Sequence, residues 1–424
     1  MTESLLTVRT LSTEEHRDFL RAHLDAGGSA SFLQTPAWGQ VKSEWRRESI
    51  GWFRDARSAR SSTQGLRDAR SARSSTQGLR DARSARSSTQ GLRDARPAGA
   101  ALVLYRKLPG VRRYLAYLPE GPVVNWTGDD LAAWLSPMAS HLRAAGAFGV
   151  RMGPPVVVRS WDAAAVKAGV ADDALRRLGD VPPTERDPVG ARVVSQLHEL
   201  GWRRQGSEEG FAAGQPAYNF WLPLRDTTGA SLSEDDVLAG MNQQWRRNIK
   251  KSVKAGVEVC HDGTEQDLAA FHQLYVTTAA RDGFTPRPRS YFQAMWQSLS
   301  AEDPDRIRLY LARHEGELVA ATIGIRMGRH AWYSYGASST DKRDVRGSNA
   351  VQWAMIRDAL AAGCDIYDLR GITDTLDPDD PHAGLIRFKV GTGGRAVEYA
   401  GEWDLPLNRL VYKAFSAYMS RRGG

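Results

Sequence analysis

Only two cysteines, Cys260 and Cys364, occur in 424 residues, and neither stands at metal-ligand spacing from a partner. That excludes a disulfide scaffold and a cysteine zinc site, and it suits a reducing compartment. The chain also lacks any run of 18 apolar residues, which excludes a membrane-spanning helix. Its first residues, MTESLLTVRTLSTEEHRDFL, carry acids where a secretory leader needs basic residues and then an apolar stretch, so no cleaved leader and a cytoplasmic location are expected. Nine scattered histidines offer no Ser-His-Asp arrangement, and neither a metal nor a cofactor is implied. With 42% apolar residues over this length, the chain can build two or three domains with sizeable cores.

A net charge of +8 would ordinarily suggest nucleic acid or membrane as a partner. Most of it has one source. The 13-residue string RDARSARSSTQGL occurs three times without change, starting at Arg54, Arg67 and Arg80, and each copy adds three arginines and one aspartate. Three copies at +2 each give +6, leaving the rest of the chain only slightly basic. The repeat holds too few apolar groups for a core, so residues 54–92 read as a low-complexity loop inserted between two strands.

A different basic segment is patterned. In MNQQWRRNIKKSVKAG, Met241 to Gly256, a helical wheel sets Met241, Trp245, Ile249 and Val253 on one arc, with Arg246, Arg247, Lys250, Lys251 and Lys254 opposite. Gly256 supplies a left-handed stop. Such a helix fits either a solvated face or one that follows a phosphate backbone or an anionic lipid surface.

Hydrophobic periodicity from Val257 onward predicts the order βααβββαβαβ, and residues 5–200 give nearly the same order. Two divergent copies of one mixed α/β unit follow. We therefore expect a first domain over 1–200, a second over 201–400, and a C-terminal segment, 401–424, packed back on the first. The layout resembles that of GNAT-type acyltransferases, here in tandem. An acyl-CoA enzyme of that type needs a Q/R-x-x-G-x-G/A turn at a helix N-terminus to hold the pyrophosphate. The only matching string, Arg96 to Ala101, lies between a loop and a strand, which weighs against acyl-CoA.

Several strings together resemble the Fem (FemABX) peptidyltransferases, and within that family the lipid II:glycine glycyltransferases. They are QTPAWGQVK (Gln34 to Lys42), GPV after Glu120, Gln215-Pro216 before WLPL, WRRNIKKSVKAGV, YGAS (Tyr335 to Ser338), YDLRGI (Tyr367 to Ile372), RFKVGTGG (Arg387 to Gly394) and GEWDLPLN (Gly401 to Asn408). The resemblance implies an aminoacyltransferase that moves an amino acid, with glycine the expected donor residue, from aminoacyl-tRNA to the stem-peptide amine of a peptidoglycan precursor, lipid II or its UDP-linked form. It also implies a cation at Lys389 for the charge that develops on the ester carbonyl, and Phe388 stacked on a terminal base or ribose. By the same resemblance Lys42 and Arg287 are phosphate anchors, with Tyr291 and Tyr335 beside them, and Arg246, Arg247 and Lys250 face the tRNA. The resemblance further implies a cleft between the two GNAT-like domains, and the long coiled-coil arm of some members has no room between Lys254 and Phe284.

Two positions depart from the family pattern. Gly153 stands where many members have an aspartate, so no carboxylate base is available there, and Glu120 replaces a residue that is often basic. Leu405 to Arg422 is amphipathic and suits either packing on the first domain or peripheral contact with the inner membrane surface. An acyl-CoA N-acyltransferase and a non-catalytic RNA- or membrane-binding protein stay open as alternatives.

Overall fold

The computed structural model describes residues 6–54, 96–108, 110–206, 214–261, 263–377, 379–380 and 383–420. Apart from Arg54, the repeat lies outside them. Among the described residues the strands run in chain order: β1 (Leu6–Leu11), β2 (Arg46–Arg54), β3 (Gly99–Lys107), β4 (Tyr114–Leu118), β5 (Ala147–Met152), β6 (Val157–Asp162), β7 (Glu185–Arg186), β8 (Arg203–Arg204), β9 (Tyr218–Pro223), β10 (Glu258–Cys260), β11 (Ile307–His314), β12 (Glu317–Met327), β13 (His330–Ser338), β14 (Ile366–Ile372), β15 (Arg395–Tyr399) and β16 (Trp403–Pro406). The helices are α1 (Thr13–Asp25), α2 (Pro36–Val41), α3 (Ala132–Ala144), α4 (Ala163–Ala171), α5 (Pro188–Glu199), α6 (Glu234–Gly240), α7 (Gln243–Lys254), α8 (Leu268–Asp282), α9 (Arg289–Glu302), α10 (Gly347–Ala361), α11 (Ala383–Val390) and α12 (Arg409–Ser420).

One sheet has the order β1-β2-β3-β4-β5-β16-β8 and the other β10-β11-β12-β13-β14-β9-β15-β6-β7. In each, four antiparallel strands are followed by a parallel fifth, β5 beside β4 and β14 beside β13. The parallel step needs a crossover, which α3 supplies in the first unit and α10 in the second. A helix pair sits between the first and second strands of each unit, α1 and α2 in one and α8 and α9 in the other. This is the tandem, GNAT-like mixed α/β architecture expected from the sequence.

The units also exchange strands. β6 and β7, from the first half of the chain, close the edge of the second sheet, and β16 inserts between β5 and β8 of the first. The segment 157–171, which forms β6 and α4, went unread in the sequence. After β16, α12 seats Phe415 against Leu115 and Phe148. A further apolar cluster is shared by the halves, with Phe32, Trp38 and Leu102 packed among Phe292, Leu309 and Trp332. No helix among the described residues is long and apolar enough to cross a membrane.

Local sequence explains the elements that carry the site. Thr35 caps α2 through its side-chain oxygen, with Pro36 at the first helical position, where a missing N–H costs nothing. Asn242 caps α7 by accepting from the Trp245 N–H at 2.8 Å, and Gly256, at φ 76°, ends it.

Candidate functional site

α2 and α9 pack across the boundary between the units and bring four of the residues singled out in the sequence together. Lys42 ends α2, Arg287 precedes α9, Tyr291 lies in its first turn, and Tyr335 comes from β13. The Lys42 ammonium sits 5.0 Å from the Tyr291 ring centre and 5.8 Å from that of buried Trp38, while the Arg287 guanidinium is 5.4 Å from the Tyr291 ring. The Tyr291 and Tyr335 hydroxyls are 3.1 Å apart. Burial, and then the like charge of Arg287, pull the Lys42 pKa down, with Glu44 opposing them more weakly. Burial and Tyr335 push Tyr291 well above the usual phenol range, so it stays a neutral donor. Two cations held against aromatic faces, repelling each other, form a receptor for an anion that would relieve the repulsion.

Lys389 is 3% exposed. It lies in α11, the short helix that the predicted order sets between the last two strands, and its ammonium donates to the carbonyls of Gly371 (2.6 Å) and Arg370 (3.3 Å). The β14–β9 ladder slips beside them, between Asp368 and Gly371, where Arg370 takes a left-handed φ of 62°. Burial lowers the Lys389 pKa to about 7; nearby Asp368 opposes that and Arg370 adds to it. Asp368 accepts from the Trp221 indole N–H (3.2 Å) and lies 3.4 Å from His330 Nε2. The result is a buried cation in a polar socket, poised near neutrality.

The basic helix is joined directly to this socket. The Trp245 indole N–H donates to the Phe388 carbonyl (2.8 Å), its ring packs on Phe388 at 4.7 Å between centroids, and Asn242 N–H donates to Gly391 O (2.9 Å). One side of the Phe388 ring is thus covered by Trp245, a partner the sequence reading did not foresee. Arg246 is half-buried, and its guanidinium donates to the carbonyls of Leu238, Ala239 and Met241 at the end of α6. Arg247, Lys250, Lys251 and Lys254 are exposed. The expected apolar arc needs a correction: Val253 is 71% exposed, and Ser252 takes the buried position below Trp245 and Ile249. On a 100° wheel Ser252 lies closer than Val253 to the line through the two larger side chains, and the Ser252 hydroxyl is satisfied by the Ile249 carbonyl at 2.8 Å.

Beside the socket a small cavity is lined by Glu120, Gly153, Pro154, Gln215, Asn219 and Tyr399. A side chain at Gly153 would collide with the Gln215 carboxamide and approach Glu402 Cγ at 3.6 Å. Glu402 is the carboxylate lying against that position. Burial raises its pKa, and Tyr117 donates to it at 2.8 Å. Asn219 Oδ1 and Gln215 Nε2 are buried without protein partners. Glu402, Asp368 and His330 were missed as site residues, although GEWDLPLN and YDLRGI contain the first two. Their signal is spatial: a carboxylate read singly in a string gives no sign that it is buried against a lysine. Among the described residues no cluster of His, Cys, Asp and Glu suits a metal ion, and Arg96 to Ala101 runs into β3, so no helix amide faces a phosphate there.

The FemAB family model matches residues 72–315 and 308–419. The chain is 38% identical over 199 residues to the UDP-N-acetylmuramoylpentapeptide-lysine N(6)-alanyltransferase of Weissella viridescens, an alignment covering 47% of this chain and 56% of that one. It is 24% identical over 377 residues to the lipid II:glycine glycyltransferase of Staphylococcus epidermidis, covering 74% of this chain and 82% of the relative. The crystal structure of FemX superposes with a TM-score of 0.70 at 19% identity, covering 96% of this chain and 99% of that one, which shows a shared fold. The family match spans most of the chain and takes in both units, and the protein belongs to the FemAB family.

Proposed function

We propose that this protein is an aminoacyltransferase of peptidoglycan branching, which moves glycine from aminoacyl-tRNA to the stem-peptide amine of a precursor, lipid II or UDP-MurNAc-pentapeptide, on the cytoplasmic side of the membrane. The observation that carries this reading is the joint between the exposed basic face of α7 and the buried Lys389 socket. A polyanion following that face would bring its terminus toward the socket. Both precursor forms carry a diphosphate, and the Lys42–Arg287 pair, one cation from each unit, is an anion receptor of suitable charge at the boundary.

The reaction then balances simply. The precursor amine attacks the ester carbonyl, a C–N bond forms, the ester C–O bond breaks, and the proton lost by nitrogen ends on the ribose oxygen. Negative charge grows on the carbonyl oxygen in between. The Lys389 ammonium, desolvated and fixed by two carbonyls, stabilises that charge more than the neutral ester. Gly153 carries no carboxylate to receive the amine proton, and Glu402, whose pKa burial raises, lies against the same position.

The test is transfer of radiolabelled glycine from charged tRNA to lipid II or the UDP-linked precursor, with and without RNase. RNase-sensitive labelling is expected, and Lys389→Ala should abolish most of it while Lys342→Ala does not. Labelling of the acceptor by acyl-CoA without tRNA would overturn the reading.

A further inference from the structure

Two non-glycine residues with left-handed backbones meet across the boundary between the units. Glu120 (φ 43°) lies after β4 in the first, Arg370 (φ 62°) lies in β14 of the second, and their side chains form an ion pair at 2.9 Å. Side chains larger than glycine avoid this region of φ unless the surroundings hold them there. Both are held. Ser31 Oγ donates to Glu120 Oε2 at 2.5 Å, and Gln34 Nε2 donates to the Pro119 carbonyl at 2.6 Å. On the other side the Arg370 N–H donates to Asp368 Oδ1 at 2.6 Å. The carbonyls that grip Lys389 are those of Arg370 and Gly371, so the conformation of Arg370 sets where the ammonium points.

Resting on the role assigned to Lys389 above, we propose that Glu120 is a positioning residue, which acts through Arg370 to hold the Lys389 socket in register with the first unit. The anchor on the first side is stiff: Ser31, Gln34 and Thr35 are buried, and Thr35 caps α2, the helix that ends at Lys42. The ion pair therefore joins the anion receptor to the lysine by a short run of buried and partly buried polar contacts. Removing the carboxylate leaves the partly buried Arg370 guanidinium unpaired beside a second cation, and the left-handed turn then loses the partner that fixes it.

The test compares Glu120→Ala and the milder Glu120→Gln in wild-type and Lys389→Ala backgrounds, using charged tRNA and the UDP-linked precursor, with thermal unfolding as a check on folding. Glu120→Ala is expected to lower kcat at least tenfold with precursor KM within twofold, Glu120→Gln to lose less, and neither to lower further the residual rate of Lys389→Ala. A raised KM at unchanged kcat would make Glu120 a substrate contact, and equal losses in both backgrounds would make it merely structural; either overturns the proposal. Should the wild-type protein show no transfer, the functional reading fails and the latch is judged on Lys389 alone. The rate of its reductive methylation by formaldehyde and borohydride, followed by mass spectrometry, should then change at least twofold in Glu120→Ala while that of Lys342 stays constant. An unchanged Lys389 rate overturns the latch.

Discussion

Lys389 is a lysine whose charge is set by its surroundings. Burial brings its pKa from 10.5 down to about 7, so the ammonium is the main form below that value and the neutral amine above it. If the ammonium serves the transition state, the rate of transfer must fall as pH rises through about 7. Lys389→Arg keeps its charge across the whole range, so the surviving activity of that variant should lose the alkaline decline, and a pH profile of kcat for the two proteins checks this. A wild-type rate that instead rises through 7 would mark Lys389 as a base. Lys389→Ala should lower kcat by roughly 10²–10³, the usual scale for removing one preorganised electrostatic group. Lys42 and Arg287 act earlier, in binding. Removing either is expected to raise precursor KM by about tenfold, or about 1.4 kcal/mol, with kcat little changed, because their contacts persist from ground state to transition state. Steady-state kinetics over a range of precursor concentrations distinguishes the two effects.

On α7 the same residue type does two jobs. Arg247, Lys250, Lys251 and Lys254 are exposed, whereas Arg246 closes the carbonyl end of α6. Substituting the four exposed cations by glutamine should leave Tm unchanged and weaken tRNA binding. Every phosphate that is no longer neutralised should flatten the plot of log affinity against log salt by about 0.7–0.9. Arg246→Ala is expected to lower Tm, since it exposes the end of a helix, and a salt titration beside a melting curve separates the classes. The wheel made the helix, its cap and its stop legible, because spacing and Gly256 depend on nearby residues alone. It could not assign Val253 or Arg246. Which apolar side chain is buried at the rim of an arc, and which arginine bends back to the chain, depends on what packs there: the Trp245–Phe388 contact and the end of α6, both set by tertiary structure.

Across the whole molecule, the repeated order of strands and helices was legible because each unit must bury a sheet face under helices, and that imprints the same periodicity twice. The exchange of β6 and β16 was not, since pairing between strands some 240 residues apart leaves no local mark: Arg159 of β6 faces Glu398 of β15, and Arg151 of β5 holds Asp404 of β16 at 2.8 Å. The exchange has a mechanical consequence. β16 fills the place between β5 and β8, with Trp403 and Asp404 both fully buried. A chain cut after Ala400 would leave β5 with an open edge, an empty space the size of an indole, and a partly buried Arg151 without its carboxylate. Loss of a buried aromatic alone typically costs about 3–5 kcal/mol. At roughly 2–4 °C per kcal/mol for a unit of this size, Tm should fall by about 10 °C or more. Trp403→Phe, which keeps a ring in the space, should cost much less. Deleting 54–92 is the opposite case. Trp52 and Gly99 already face each other in the β2–β3 ladder, and Ala98 N–H donates to the Trp52 carbonyl at 2.7 Å, so the shortened chain needs only a turn to join the strands. Its Tm should stay within about 2 °C of the full chain. A large drop there, with none on truncation after Ala400, would mean that the stability of the first unit rests on the repeat and not on the strand it receives from the far end of the chain.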